Sequence, residues 1–175
     1  PVSSNKKWGY LDTKGNIAIP LNYEQASEFN NGYAVVKKNG VDIIIDKSGK
    51  ETASNDPRVF NINRFEEGLA PFSDKTKNHG FIDPSGKVII EPSFKSVGFF
   101  SSGLAWAKTA EGKVGYINKT GKWVIEPIYV SGKNFETISG LAIVKTEAGS
   151  FFINKEGKVQ NINPSESWEN FSEGL

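Results

Sequence analysis

The sequence predicts an all-β repeat protein, five three-stranded antiparallel units of about 35 residues each, closed into a small five-bladed β-propeller, with an open β-solenoid as the alternative. Three observations carry this. First, one pattern returns five times: KWGYLDTKGN at 7–16, VDIIIDKSGK at 41–50, NHGFIDPSGK at 78–87, KVGYINKTGK at 113–122 and SFFINKEGK at 150–158. Its turn residues, Asp12, Asp46, Asp83, Asn118 and Asn154, lie 34, 37, 35 and 36 residues apart. Second, an independent marker keeps the same period: FNNGYA at 29–34, FEEGLA at 65–70, FSSGLA at 100–105, ISGLA at 138–142 and FSEGL at 171–175. Third, the intervening runs are β-branched and aromatic, of strand length, and no stretch carries helical periodicity.

Each element of the unit follows from its residues. The first strand is a short run such as Ala34-Val35-Val36-Lys37 or Ala142-Ile143-Val144-Lys145, and the second is a run such as Gly80-Phe81-Ile82 or Gly115-Tyr116-Ile117. Between second and third strands stands Asp/Asn-x-x-Gly. The Asx side chain accepts backbone N–H groups two or three residues on, and the glycine takes the positive φ of a three-residue hairpin with a G1 bulge. The third strand, as in Lys87–Ile90 and Trp123–Ile125, is expected to stop at Pro92 and Pro127, because proline cannot donate to a ladder. The chain then crosses through an aromatic residue, Tyr23, Phe60, Phe94, Tyr129 or Trp168, to the glycine marker. Ser54–Arg64 is the least regular stretch and reads as a longer loop. The second unit places Asp42-Ile43 where the first has Trp8-Gly9, so distortion is expected there.

The chain reads as one repeat domain over 1–175, with units 1–33, 34–69, 70–104, 105–141 and 142–175. Joined tail to head, FSEGL-PVSSNKKWGY parallels FEEGLAPFSDKTKNHGF at 65–81, which favours closure. So do Ala34, Ala70, Ala105 and Ala142, small residues at one fixed place on the first strand. The N-terminus carries neither a signal peptide nor an initiating Met, and a processed product or an excised segment is expected.

The pattern x-Gly-(Tyr/Phe)-(Ile/Leu)-(Asp/Asn)-x-x-Gly-Lys, then a β run ending in proline, then Phe-x-x-Gly-Leu-Ala, resembles the bacterial WG-repeat family over nearly the whole chain. Only Trp8-Gly9 keeps the eponymous dipeptide. The aligned pairs are Asp42-Ile43, His79-Gly80, Val114-Gly115 and Ser150-Phe151. The resemblance implies a β-rich interaction module, with surface or extracellular settings favoured over cytoplasmic ones, and supplies no catalytic residues.

Composition narrows the chemistry. Twenty-one basic and 20 acidic residues leave a formal charge of +1, and Arg58 and Arg64 are the only arginines, so nucleic acid is not an expected partner. No cysteine is present, which removes disulfides, thiolate catalysis and Cys-type zinc sites. No apolar run approaches the roughly 20 residues of a membrane span.

His79, the only histidine, occupies a variable slot and has no adjacent nucleophile, so it reads as a strand-end residue. Asp12, Asp46 and Asp83 cap turns rather than bind calcium, since Lys or Pro lies within those loops where further oxygen ligands would stand. The Ser/Thr-Gly-Lys triplets lack the preceding glycine and following helix of a phosphate loop. No pair of carboxylates is set at glycosidase spacing by the repeat.

Aromatic residues remain. The recurrent ones, Tyr10, Phe81, Tyr116 and Phe152 with Phe29, Phe65, Phe100 and Phe171, read as core. The non-recurrent tryptophans are the candidate ligand-binding residues: Trp106, aligned with Val35, Pro71 and Ile143, and Trp123, aligned with Ile17, Glu51, Val88 and Val159, together with Trp8 and Trp168. The expected function is a non-enzymatic binding or scaffold module for a protein partner, without cofactor or metal. A carbohydrate-binding lectin is the alternative, and a hydrolase with a central-channel site stands third.

Overall fold

A computed structural model describes residues 1–160, and among these every regular element is a β-strand. The first sheet comprises β1 (Val2–Ser4), β2 (Lys7–Leu11) and β3 (Ile17–Tyr23), in that order. The second is β4 (Gln25–Ala26), β5 (Tyr33–Lys38), β6 (Val41–Asp46) and β7 (Glu51–Thr52). The third is β8 (Asn61–Ile62), β9 (Ala70–Ser73), β10 (His79–Ile82) and β11 (Val88–Phe94). The fourth is β12 (Ser96–Val97), β13 (Ala105–Lys108), β14 (Val114–Ile117) and β15 (Trp123–Tyr129). The fifth is β16 (Ser131–Gly132), β17 (Ala142–Thr146), β18 (Gly149–Ile153) and β19 (Val159–Gln160).

Four sheets thus gain a strand beyond the three the sequence announces. The extra member is a two-residue run drawn from the return segment, as in β4, where Gln25 and Ala26 pair with Lys37 and Val36. Within Ser54–Arg64, read as loop, Asn61–Ile62 does the same against Ser73 and Phe72. Two residues offer no alternation to read, so such a strand has no sequence signature.

The chain divides into two compact units, residues 1–77 with 81–88 and residues 78–80 with 89 onward. In the first unit, Tyr10, Ile19 and Tyr23 of the first sheet pack on Ala34, Val36 and Ile45 of the second. The opposite face of the second sheet, through Val35 and Ile44, meets Ile62, Phe65, Ala70, Phe72 and Ile82. In the second unit, Val114, Tyr116, Ile125 and Tyr129 of the fourth sheet meet Phe135, Ala142, Val144 and Ile153. Alternation puts successive side chains on opposite faces, so each central strand serves two cores; a fully buried Ile or Phe there stabilises by about 1.5–3 kcal/mol relative to exposure.

The Asx turns form as read. Asp12, Asp46, Asp83, Asn118 and Asn154 each accept, at Oδ1, the backbone N–H groups of the residues two and four positions on. The glycines that follow, from Gly15 to Gly157, hold φ between 76° and 85°. In each turn a single side-chain oxygen thus holds two backbone amides.

The glycine marker is a second kind of reversal. Asn31-Gly32, Glu67-Gly68 and Ser102-Gly103 all have two consecutive positive φ values, the signature of a type I′ turn, closed by the pairs Asn30–Tyr33, Glu66–Leu69 and Ser101–Leu104. Asn39-Gly40 joins β5 to β6 in the same way, and Asn5-Lys6 joins β1 to β2 with φ of 49° and 60°. Lysine is a poor occupant of the left-handed region. Lys6→Gly is therefore expected to raise stability by about 1 kcal/mol, read as a higher urea midpoint.

One expectation about the third strand is corrected. The long third strands do not stop at proline: β11 runs through Pro92 and β15 through Pro127. Tyr116 pairs with Ile125 and Val114 with Tyr129, so Gly115 alone faces Glu126, Pro127 and Ile128. The proline sits in that bulge, where no ladder bond is required of it. Gly9 faces Pro20–Asn22 in the same manner. The arching backbone closes onto these glycines: a Cβ on Gly9, Gly80 or Gly115 would collide with the carbonyl oxygen of Ile19, Ile90 or Ile125. Sheets with glycine there have seven-residue third strands, whereas the second sheet, with Ile43, has only Glu51–Thr52. The distortion expected of the second unit is this truncation. Its crossing aromatic differs as well: Phe60 is 54% exposed while Tyr23, Phe94 and Tyr129, seated at the ends of long third strands, are buried.

Candidate functional site

Each predicted tryptophan among the described residues packs against neighbouring side chains. Trp8, on β2, lies opposite Ser3 and Tyr23 and packs against the core shared by the first two sheets. Trp123, at the start of β15, meets the Phe94 ring edge-on with centroids 5.6 Å apart. In the first unit the aligned pair is Tyr23 and Glu51, joined by a 3.0 Å hydrogen bond from the phenol to the carboxylate. One inter-sheet contact is thus made either by tyrosine with an acid or by phenylalanine with tryptophan. Trp168 lies outside the described residues.

Trp106, on β13, packs against the core of the second unit, and its Nε1 and the Asn134 Oδ1 crowd Gly98 where a Cβ would stand. Register identifies its counterparts. Ser96 and Val97 pair with Lys108 and Ala107 as Gln25 and Ala26 pair with Lys37 and Val36, so Trp106 matches Val35 and Gly98 matches Ser27. By the same logic Tyr116 matches Ile44, Val114 matches Asp42, and Asn134 matches Arg64.

Where Trp106 fills the fourth sheet's flank, the second sheet has an open space. A cleft of about 440 Å³ lies in the first unit, lined by Gln25, Ala26, Ser27, Val35, Val36, Lys37, Asp42, Asn61, Ile62, Asn63 and Arg64. Its polar groups are held in place. Asp42 accepts the Lys37 ammonium at 3.0 Å and the Ile62 backbone N–H at 2.9 Å, which ties β6 to β8. Arg64 Nε donates to Glu66 at 3.0 Å, and the Arg64 backbone N–H donates to Asn63 Oδ1 at 2.8 Å. Ser27 Oγ accepts from Val35 N at 2.9 Å, and Asn61 Nδ2 donates to Ser73 Oγ at 3.3 Å. The lining is three amides, one hydroxyl, two cations and one anion, with Ala26, Val35, Val36 and Ile62 between them.

Sequence reading missed this cleft. Its signals were present as departures from the repeat: Asp42 in the slot of Trp8, Arg64 as one of two arginines, and valine where a sister unit has tryptophan. A second hollow of about 370 Å³ in the same unit is lined by Tyr33, Ile44, Asp46, Lys50, Thr52, Pro84 and Ser85.

The shifted ionisations lie far from neutrality. The Lys38 ammonium holds the Glu51 carboxyl below its ordinary range, and the Arg58 guanidinium holds Asp56 down to about 2. Burial, then the neighbouring Tyr23, pushes Tyr10 up to about 12; burial, then the bond to Glu51, does the same for Tyr23. Burial also raises Tyr116 and Tyr129. Two of these phenols act as latches, Tyr10 donating to Ser27 O and Tyr116 to Lys133 O, both at 2.8 Å. His79 Nδ1 is buried without a hydrogen-bond partner. Among the described residues no cluster of three or more His, Asp or Glu could hold a metal ion, and no helix is long and apolar enough to cross a membrane.

A pH prediction follows from the tyrosines. Their folded-state values stand above the unfolded value near 10, so the neutral phenol belongs to the native state. That contribution is complete below about pH 10 and is lost as pH climbs toward about 12, because the unfolded chain gives up its phenolic protons first. Urea midpoints are expected to fall across this interval, in step with phenolate absorbance. Tyr23→Phe should make the fall shallower.

A family model described as WG containing repeat matches residues 8–41, 80–113 and 115–148. No curated protein matches the chain. Among solved structures, the computationally designed Ika8 protein is similar with a TM-score of 0.51 at 11% identity, over 83% of this chain and 52% of that one. The computationally designed Ika4 protein gives 0.46 at 11% identity over 72% and 87%, and BamB from Moraxella catarrhalis gives 0.43 at 12% over 78% and 48%. This chain therefore spans about half the length of Ika8 and of BamB, and the likeness to Ika8 is one of fold.

Proposed function

The chain belongs to the WG containing repeat family, and from that premise we propose that it is a non-catalytic binding module whose cleft beside Val35 receives a polar segment of a partner protein. One observation carries the reading: the repeat closes this position with Trp106 in the fourth sheet, yet leaves it open and rimmed with hydrogen-bonding side chains in the second. Asn61, Asn63 and Gln25 offer both donors and acceptors, which suits peptide groups and polar side chains. Asp42 and Arg64 are fixed by their own partners, so their orientation costs little on binding. The displaced ionisations run downward for the acids and upward for the phenols, away from the values that suit proton transfer near neutral pH. Sugar recognition is the weaker reading, because the described tryptophans are engaged in packing.

The test transplants the sister unit's own filling. Ser27→Gly with Val35→Trp should close the cleft while keeping the fold, checked by far-ultraviolet circular dichroism. Immobilised on a column, the native chain is expected to retain a protein from lysate of the source cells that the double variant does not. Equal retention by both baits, or binding on a glycan array that the double variant abolishes, would overturn the proposal.

A further inference from the structure

The second sheet has an edge that its own chain does not cover. β7 pairs with β6 only at Ile44–Thr52 and Ile45–Glu51. In the first and fourth sheets the third strand continues past this point to reach the residue before the glycine, as Tyr23 reaches Trp8 and Tyr129 reaches Val114. In the second sheet it leaves early: the Ser54 hydroxyl donates to Gly86 O at 2.7 Å, which draws the chain away, and among the described residues no strand pairs with the outer side of Val41–Ile43.

The orientation of that edge follows from period two. Asp46 N donates outward to Lys50 O, and Ile44 sits opposite Thr52, so the next outward-facing peptide groups on β6 belong to Asp42. Val41 and Ile43 then share one face, with Val41 55% exposed and Ile43 packed against the first sheet's core.

We propose that this edge takes an extended segment of a partner protein by strand addition, antiparallel to Val41–Ile43, in the place that the sister sheets fill with their own chain. The segment's chemistry is set by what it meets. Apolar, β-branched residues face Ile43 and Val41, and a residue between them exchanges both peptide hydrogen bonds with Asp42. Ile43 also excludes the arched, proline-containing path of the sister strands, because that path needs glycine beneath it. The incoming strand is therefore regular and proline-free. This inference rests on the binding-module reading and adds to it an attachment point apart from the cleft.

The probe is the peptide acetyl-Thr-Val-Thr-Val-Lys-amide, added at millimolar concentration to the ¹⁵N-labelled chain. In the free chain the Asp42 amide is expected to exchange quickly and the Ile44 amide slowly. With peptide, the Asp42 amide should become protected and show contacts to the peptide backbone. Asp42→Pro and Asp42→Ala both lose the carboxylate and differ in the outward N–H; peptide affinity should be at least tenfold weaker in the proline variant. A slowly exchanging Asp42 amide in the free chain, no response to peptide, or equal affinity of the two variants would overturn the proposal. Protection of the Asp42 amide that grows with protein concentration alone would overturn it in favour of a second copy. The cleft-filling pair at Ser27 and Val35 leaves this edge intact, whereas Asp42 also lines the cleft, so partner binding that the pair abolishes and that Asp42→Pro and Asp42→Ala weaken equally upholds the cleft reading and overturns strand addition.

Discussion

Gly115→Ala is expected to cost about 3 kcal/mol or more, the upper end of overpacking, because the obstacle is main chain rather than a side chain that can rotate away. The added methyl group meets the Ile125 carbonyl and lies 2.7 Å from Pro127 N. Relief would require the bulge over Glu126–Ile128 to lift, and that would pull Ile125 and Tyr129 out of the core they share with Phe135 and Val144. Urea unfolding followed by tryptophan fluorescence and by circular dichroism measures the loss. A cost below about 1 kcal/mol would show that the bulge is pliant and that close approach does not explain the glycine. The same substitution at Gly9 or Gly80 should behave alike, since each faces an equivalent carbonyl.

Gly98→Ser should destabilise by about 2 kcal/mol, and almost all of that should vanish in a Trp106→Val background. Gly98 has no positive φ to protect, so the cost comes from space alone. Its neighbours are the Trp106 indole nitrogen and the Asn134 amide oxygen, and the latter is buried without a partner. The second sheet already contains the compensated combination, Ser27 with Val35, there joined by a hydrogen bond. A double-mutant cycle measured by urea denaturation gives the coupling. Additive effects would mean that the indole moves aside freely and that Trp106 does not plug the position.

These two glycines also show where a single sequence speaks and where it is silent. The Asx turns were legible because everything that makes them is local: a carbonyl oxygen on the side chain, two amides within four residues, and a glycine at positive φ. The strand-forming runs were legible for the same reason. Gly9, Gly80 and Gly115 could be seen to recur, but the segment that crowds them lies some ten residues later, beyond a turn. Proline at 92 and 127 was given its usual meaning as a strand stop, and the edge position that tolerates it could be known only from the register. The two-residue strands left no trace, since pairing partners and not composition make Gln25–Ala26 or Asn61–Ile62 extended.

The site was less legible than the fold. Attention went to residues that are large and unusual, and Trp106 and Trp123 proved to be placed against Gly98 and Phe94. The cleft instead arises where a residue is unusually small. Val35 looks ordinary in a strand, and its meaning appears only when register sets it beside Trp106.

Because each four-stranded sheet borrows its opening strand from the preceding sequence repeat, the unit that is copied in the gene and the unit that closes a hydrogen-bonded ladder are out of phase. A deletion made at Ala105 would strip β12 of the strand it pairs with, whereas one made just after Tyr129 would excise a whole ladder. Loss or gain of a module by recombination is therefore expected to be tolerated at the second kind of junction and punished at the first.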